Sequence, residues 1–201
     1  MNNSINTKKK ASRTAIKILR HQAKQFKLPI REDGFMPIDV LIKYINKTTN
    51  INLTLEMMLE IVDECNKQRF GLKKENNKLS IRANQGHSMP HIKQSLLLEE
   101  IYKNNLPQLL YHGTYSKCIK FIENTGLSKM NRNNIHMVTQ LPNVGTIISG
   151  MRNSCDQIVV IDAHRAYNAG IKFYLSKNGV VLSPGNKDGH ITPEFITIKK
   201  R

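Results

Sequence analysis

Acidic residues are scarce in this chain. Of 201 residues, 15 are Asp or Glu against 31 Lys or Arg, a formal net charge of +16. No two carboxylates have the spacing of a two-carboxylate acid–base site, which argues against enzymes that work by such a pair. Cysteine is also thin, and Cys65, Cys118 and Cys155 stand far apart. They offer no disulfide framework and no paired ligand spacing, which points to a reducing, intracellular setting: cytoplasmic, or nuclear in a eukaryote. Seven histidines add no zinc spacing, so no metal is expected. No apolar run approaches the roughly 20 residues needed to cross a bilayer, so a membrane is not an expected partner. Residues 1–10 are polar and end in three lysines, unlike a secretory leader. There is no Gly-x-Gly-x-x-Gly and no Walker loop, which argues against a Rossmann dehydrogenase and a phosphate-loop NTPase.

What is present is a hydrophobic content of 39%, enough for a folded core, and an excess of positive charge. That excess favours a polyanionic partner, nucleic acid ahead of a membrane surface. The residue pattern divides the chain into a disordered basic arm (1–10), a first lobe (11–90), a linker (91–107) and a second lobe (108–201). In the first lobe, Ser12 can cap a helix with an apolar stripe of Ala15, Ile18, Leu19, Ala23 and Phe26. Arg13, Lys17, Arg20 and Lys24 form a basic stripe, with His21 on its flank. Pro37 suits the first position of a second helix, with Ile38, Leu41, Ile42 and Ile45 inward. Thr54 can cap a third, with Leu55, Met58, Leu59 and Val62 inward. Strand-like runs at 69–73 and 79–83 flank the turn Glu75-Asn76-Asn77-Lys78. Strand alternation puts Phe70 and Leu72 in the core and Arg69 on the opposite face. Three helices and a hairpin resemble a winged helix, an analogy at the level of fold.

The linker carries a short helical piece over 95–102. The second lobe alternates strands (109–111, 135–138, 157–162, 173–175, 179–182, 195–198) with a helix over 116–124 that Gly126 closes. The fold class is therefore α+β, with a helical first lobe and a sheet-rich second.

Arg20, Arg69, Arg82 and Arg132 lie beside element ends or turns, and arginine's planar fork suits phosphate. For each alone, a surface arginine is the plainer reading. His112-Gly113-Thr114 follows a strand and precedes a helix, where a glycine lets backbone approach a ligand; a simple turn is the alternative. Gly150-Met151-Arg152, after the Gly145 loop, has the same ambiguity, and His136 is equally readable as a satisfied strand histidine.

Taken in order, "LRH" (19–21), "KQRF" (67–70), "IRANQGHS" (81–88), "YHGT" (111–114), "GLSKMNR" (126–132) and "NGVVL" (178–182) resemble the RNA 2′-phosphotransferase family, which removes the splice-junction 2′-phosphate from tRNA using NAD. The resemblance spans nearly the whole chain. It implies a winged-helix RNA-binding lobe followed by an ADP-ribosyltransferase-like NAD-binding lobe. It implies a catalytic set of Arg20, His21, Arg69 and Arg132. His112, Gly113, Thr114, His136, Gly150, Arg152 and Asn178 would contact NAD, a consumed co-substrate. Arg82, Lys17 and Lys24 would contact RNA, and a monomer is expected. The reaction it implies begins with attack of the RNA 2′-phosphate on C1″ of the nicotinamide ribose, expelling nicotinamide. O2″ then attacks phosphorus, releasing 2′-OH RNA and ADP-ribose 1″,2″-cyclic phosphate. One departure is Asn134, where relatives often carry histidine. Two other readings stay open: an ADP-ribosyltransferase acting on nucleic-acid phosphate ends or protein, and a non-enzymatic winged-helix nucleic-acid binder.

Overall fold

The computed structural model describes residues 2–141, 149–152 and 154–201. The Gly145 loop lies outside the described residues. The chain divides into two compact units, Met1–Leu97 and Leu98–Arg201. Together they form a mixed, α+β arrangement: five α-helices and several small sheets among the described residues.

In the first unit, α1 (Asn2–Lys17) starts ten residues before the Ser12 cap, so the stretch expected as a disordered arm is helical. Lys8 supplies a reason. Its ammonium lies 2.8 Å from Glu60 and 2.8 Å from Glu64, tying the early turns to the body of the unit. The helix does not end at Lys17 but widens into a π-helical turn, Ile18–Gln22, where the Ala23 amide donates to the Ile18 carbonyl at 2.9 Å. Ala15, Ile18, Leu19 and Ala23 of the expected apolar stripe are buried, joined by Ala11, while Phe26 is only half-buried.

Next come β1 (Met36–Pro37), α2 (Ile38–Thr48) and α3 (Leu55–Asp63). Pro37 ends the strand and caps α2 rather than entering it. Asn46 braces the following loop through both its amide and its carbonyl, to the backbone of Leu53. Thr54 caps α3, its hydroxyl accepting from the Met57 amide. The buried face of α3 is Met58 and Ile61, with Leu55 exposed at the start, one step round from the expected stripe. β2 (Phe70–Glu75) and β3 (Lys78–Ala83) form a tight hairpin, and Asn76 and Asn77 both take positive φ in its two-residue turn. The sheet order is β1-β3-β2, so β3 is central and β2 an edge. This corrects the expectation for Leu72. It pairs with buried Ile81, yet is 40% exposed on the edge strand.

After β3 the chain stays buried from Asn84 to His87. This segment returns to the π-helical turn, where the Ser88 amide donates to the Arg20 carbonyl at 3.0 Å. His87 is buried, and its Nε2 has no partner among the described residues. Burial, and then the charges of Arg20, His21, Arg82 and His91, lower its pKa from 6.5 to about 3. The ring is therefore neutral near pH 7.

The expected helical piece at 95–102 is instead a 3₁₀ turn, Gln94–Leu96, at the end of the first unit, and β4 (Leu98–Ile101), which opens the second. β5 (Leu109–Thr114) extends through His112-Gly113-Thr114, so these residues belong to a strand and not to the turn after it. A 3₁₀ turn and α4 (Ile119–Thr125) follow, then β6 (Leu127–Ser128), β7 (Ile135–Met137) and β8 (Gln157–Asp162). Then come α5 (Ala163–Asn168), β9 (Phe173–Ser176), β10 (Val181–Ser183), β11 (His190–Ile191) and β12 (Ile196–Lys200). The sheets run β4-β9-β10-β7, β12-β8-β5 and β11-β6. Tyr111 and Val138 exchange two backbone hydrogen bonds of 2.9 Å, linking β5 to the end of β7. Leu110, Met137, Val159, Ile161, Phe173 and Val181 are among the side chains that fill the core between these strands.

Two outcomes are expected. Gly126 closes α4 at φ 86°, and a Cβ there would stand 2.2 Å from the Ile191 carbonyl oxygen. Gly126→Ala should lower stability by about 1–3 kcal/mol, read as a fall in urea midpoint. His87 binds a proton more readily when unfolded (6.5) than folded (about 3). Its contribution is thus fully present above pH 6.5 and is lost as pH falls toward 3. Between those limits it should add up to about 1.4 kcal/mol per pH unit to the slope of unfolding free energy, and His87→Asn should remove that slope.

Candidate active site

Arg20 and His21 sit on the π-helical turn, whose neighbours Ile18 and Leu19 point into the core and fix its orientation. Such widened turns are frequent at functional sites. Arg20 is half-buried and His21 exposed. Gly86, at φ 90°, brings its backbone under Arg20: a Cβ would lie 3.1 Å from the guanidinium carbon. His21 Nδ1 lies 2.8 Å from the Ser88 hydroxyl, which orients the ring. The 81–88 segment therefore holds both members of the Arg-His pair.

Arg69 precedes β2. Its amide and Nη1 both approach the Cys65 sulfur, at 3.5 and 3.4 Å. Gln68 has positive φ (43°), so the chain kinks just before Arg69. Asn84 fastens this kink, its side chain donating to the Gln68 and Phe70 carbonyls at 2.7 and 3.1 Å. Arg82 is placed differently from the other arginines. It is 4% exposed, donates to the Asp33 and Leu96 carbonyls at 3.2 and 3.3 Å, and lies 4.6 Å from the centre of the Phe35 ring. Those bonds direct it inward. Lys17 and Lys24 are exposed.

In the second unit, Arg132 Nη1 makes a long hydrogen bond to His136 Nδ1, 3.4 Å. An arginine can only donate, so Nδ1 is the acceptor and the His136 proton sits on Nε2. His112 Nδ1 donates to the His136 carbonyl at 2.7 Å. The neutral His112 ring therefore presents Nε2 as an acceptor. Burial lowers the His112 pKa; the His136 carbonyl opposes this, and the charges of Arg132 and Arg152 add to the lowering. Arg132 keeps solvent access, but crowding of its guanidinium and the charge of Arg152 pull its pKa down.

Arg152 also neighbours Tyr115, whose hydroxyl is 2.8 Å from that of Ser154; the Ser154 and Arg152 contacts lower the phenol pKa. The room beside Gly113 is filled by protein: a Cβ would stand 2.6 Å from the Cys155 sulfur. Thr114 is buried, and Gly150 lies against Val180 and Val138. Asn178 accepts from the Ser176 hydroxyl at 2.8 Å, in the turn between β9 and β10. Asn134 is buried, and its Oδ1 has no partner among the described residues.

Thus the first unit groups Arg20 and His21 on one loop contact, with Arg69 fastened to the same segment. The second unit groups Arg132, His136, His112 and Arg152. Sequence reasoning did not single out Asn84, His87, Ser88 or Cys65. The unbroken motif at 81–88 was the available signal for the first three; for Cys65 nothing in the pattern marked it. No metal-holding cluster of His, Cys, Asp and Glu occurs among the described residues.

Known proteins match along nearly the whole chain. The human protein "tRNA 2′-phosphotransferase 1" is 40% identical over 180 residues, 89% of this chain and 70% of that protein. The zebrafish (Danio rerio) protein of the same name is 39% identical over 188 residues, 92% of this chain and 81% of its own length. A "Probable RNA 2′-phosphotransferase" of Flavobacterium johnsoniae is 31% identical over 194 residues, covering 96% and 98% of the two chains. With the family profile matching residues 6–185, the chain belongs to the RNA 2′-phosphotransferase, Tpt1 / KptA family.

Proposed function

We propose that this chain removes an internal 2′-phosphate from RNA, such as the splice junction of a tRNA, by transferring it to NAD. The products are 2′-OH RNA, nicotinamide and ADP-ribose 1″,2″-cyclic phosphate. The first unit serves as a winged-helix RNA-binding lobe and the second as an ADP-ribosyltransferase-like NAD-binding lobe. The protein acts as a monomer.

The observation that carries this reading is how the cations are supported. Arg69, Arg82 and Arg132 lean on a thiol, on carbonyls and on an imidazole, and none makes an ion pair among the described residues. The described ion pairs of arginine belong to Arg31. A guanidinium with a neutral partner keeps its full charge for an incoming anion.

A phosphate monoester already carries close to two negative charges near pH 7, so it needs no general base to become a nucleophile. It needs positioning. Arg20, Arg69 and Arg132 hold its oxygens, and the same guanidiniums stabilise charge that spreads over phosphorus in the later step. His21, exposed and aimed by Ser88, hydrogen-bonds the phosphate or the departing RNA oxygen and can pass a proton. NAD, when bound, supplies an electrophilic ribose carbon with a good leaving group. The residues of the second unit fit it: the charge of Arg152 suits its pyrophosphate, and the fixed acceptor Nε2 of His112 suits a ribose hydroxyl. Thr114, His136, Gly113, Gly150 and Asn178 complete the cofactor-binding set. Lys17 and Lys24 contact RNA phosphates, and Arg82 supports that face from inside.

Arg69→Ala and Arg132→Ala should each lower 2′-phosphate removal by about 10²–10³-fold. Arg20→Ala with His21→Ala should leave a folded protein that binds RNA and releases no phosphate. The assay is NAD with an oligoribonucleotide bearing an internal 2′-phosphate; wild-type rates in these variants would sink the assignment. A stable ADP-ribosylated product on a terminal phosphate or on protein would favour the transferase alternative instead. RNA affinity should fall steeply with salt and depend little on sequence, because phosphate contacts dominate. Equal binding at low and high salt, measured by filter retention, would contradict that.

A further inference from the structure

We propose that Asn84 is a positioning residue for Arg69, acting by clamping the kinked backbone that presents the guanidinium to phosphate. This rests on the role given to Arg69 above. Three consecutive carbonyls are taken up by this one residue. The Asn84 side-chain Nδ2 donates to Gln68 at 2.7 Å and to Phe70 at 3.1 Å. Its backbone amide donates to Arg69 at 2.9 Å. The residue so bracketed needs a clamp, because Gln68 is held at φ 43°, a conformation that costs a non-glycine residue free energy. Its amide in turn donates to the Cys65 carbonyl at 2.6 Å. Arg69 is therefore fixed from two sides, its backbone by Asn84 and its guanidinium by the Cys65 sulfur.

The chemistry singles out a carboxamide. Two acceptors on either side of Arg69 require two donors on one short, planar group, and among side chains of this length only Asn has them. The facing carbonyls also set which end is nitrogen, since an oxygen there would find no donor. The other end of the group is not satisfied: Asn84 is buried, and Oδ1 has no partner among the described residues. A buried, unpaired carbonyl is a standing cost, so the residue is retained for its donors. Gly71 makes the room, because a Cβ there would stand 2.7 Å from Asn84 Oδ1. Aspartate has the same shape and neither donor, and places a charge against the two carbonyls.

The test is a double-mutant cycle on the full chain, with NAD and a 2′-phosphorylated oligoribonucleotide. Asn84→Asp should lower kcat by about 10²-fold while KM for NAD stays within roughly threefold, because only the presentation of Arg69 changes. In the Arg69→Lys background, which has lost the fork, adding Asn84→Asp should cost less than about threefold. A loss that persists undiminished in the Arg69→Lys background overturns the proposal, since Asn84 would then act independently of Arg69. Wild-type kcat in Asn84→Asp, with Arg69→Ala inactive, also overturns it. If Asn84→Asp does not fold, Asn84→Ser runs through the same cycle with the same two criteria. Full activity of Arg69→Ala removes the reading of Arg69 itself, and the positioning role with it, and so is told apart from a failure of Asn84 alone.

Discussion

A positive side chain that is to bind an anion must be held still without being neutralised. Carboxylates are the cheapest way to hold an arginine, and in this protein they are used away from the candidate site: Arg31 with Asp33 and Glu75, Lys8 with Glu60 and Glu64. The site arginines are held by softer means. Arg69 rests against a cysteine sulfur, Arg132 against an imidazole nitrogen, and Arg20 over the backbone of Gly86. The supports of Arg69 and Arg132 are directional enough to fix geometry and carry no charge of their own. The scarcity of Asp and Glu in the composition is the whole-chain counterpart of this arrangement.

Two imidazoles near these cations are neutral for a simpler reason. Burial pushes His87 and His112 toward the neutral form, His87 strongly, and the nearby guanidinium charges add to it. A neutral imidazole has one acceptor nitrogen, which a cationic one lacks. Burial, with the charges of Arg132 and Arg152 adding to it, thus keeps His112 able to accept a hydrogen bond at ordinary pH. His21 differs, being exposed and joined to a serine hydroxyl, which suits a group that exchanges protons with solvent or substrate.

The sequence showed a good part of this, and the misses have local causes. The buried stripe of the first helix, the Thr54 cap, the Asn76-Asn77 turn and the Gly126 stop were legible because each depends on residues within a few positions of one another. The early start of α1 was not, since it depends on Lys8 reaching acids more than fifty residues away. Leu72 was misplaced because alternation says which residues share a face, not whether anything covers it. His112-Gly113-Thr114 looked like a turn because of its glycine; the close approach of Cys155 and Met151 explains that glycine inside a strand. The arginines of the site were visible as residues, while their supports were not: the carboxamide astride Arg69 comes from fourteen or more residues away, and the thiol under it, though only four residues back, lies in a loop with no periodic pattern.

The π-helical turn at Ile18–Gln22 has a consequence for register. An α-helix advances about 100° per residue, so one additional residue in a turn shifts the phase of everything before it relative to everything after it by roughly that angle. Lys8 meets its acidic partners from the regular helix before this turn, and Arg20 and His21 meet their loop partners from within it. A chain shortened by one residue between Lys17 and Ala23 would regain a regular helix and lose the phase. Either Lys8 would face away from Glu60 and Glu64, or Arg20 and His21 would turn off Gly86 and Ser88. The irregular turn is what lets one helix satisfy both appointments.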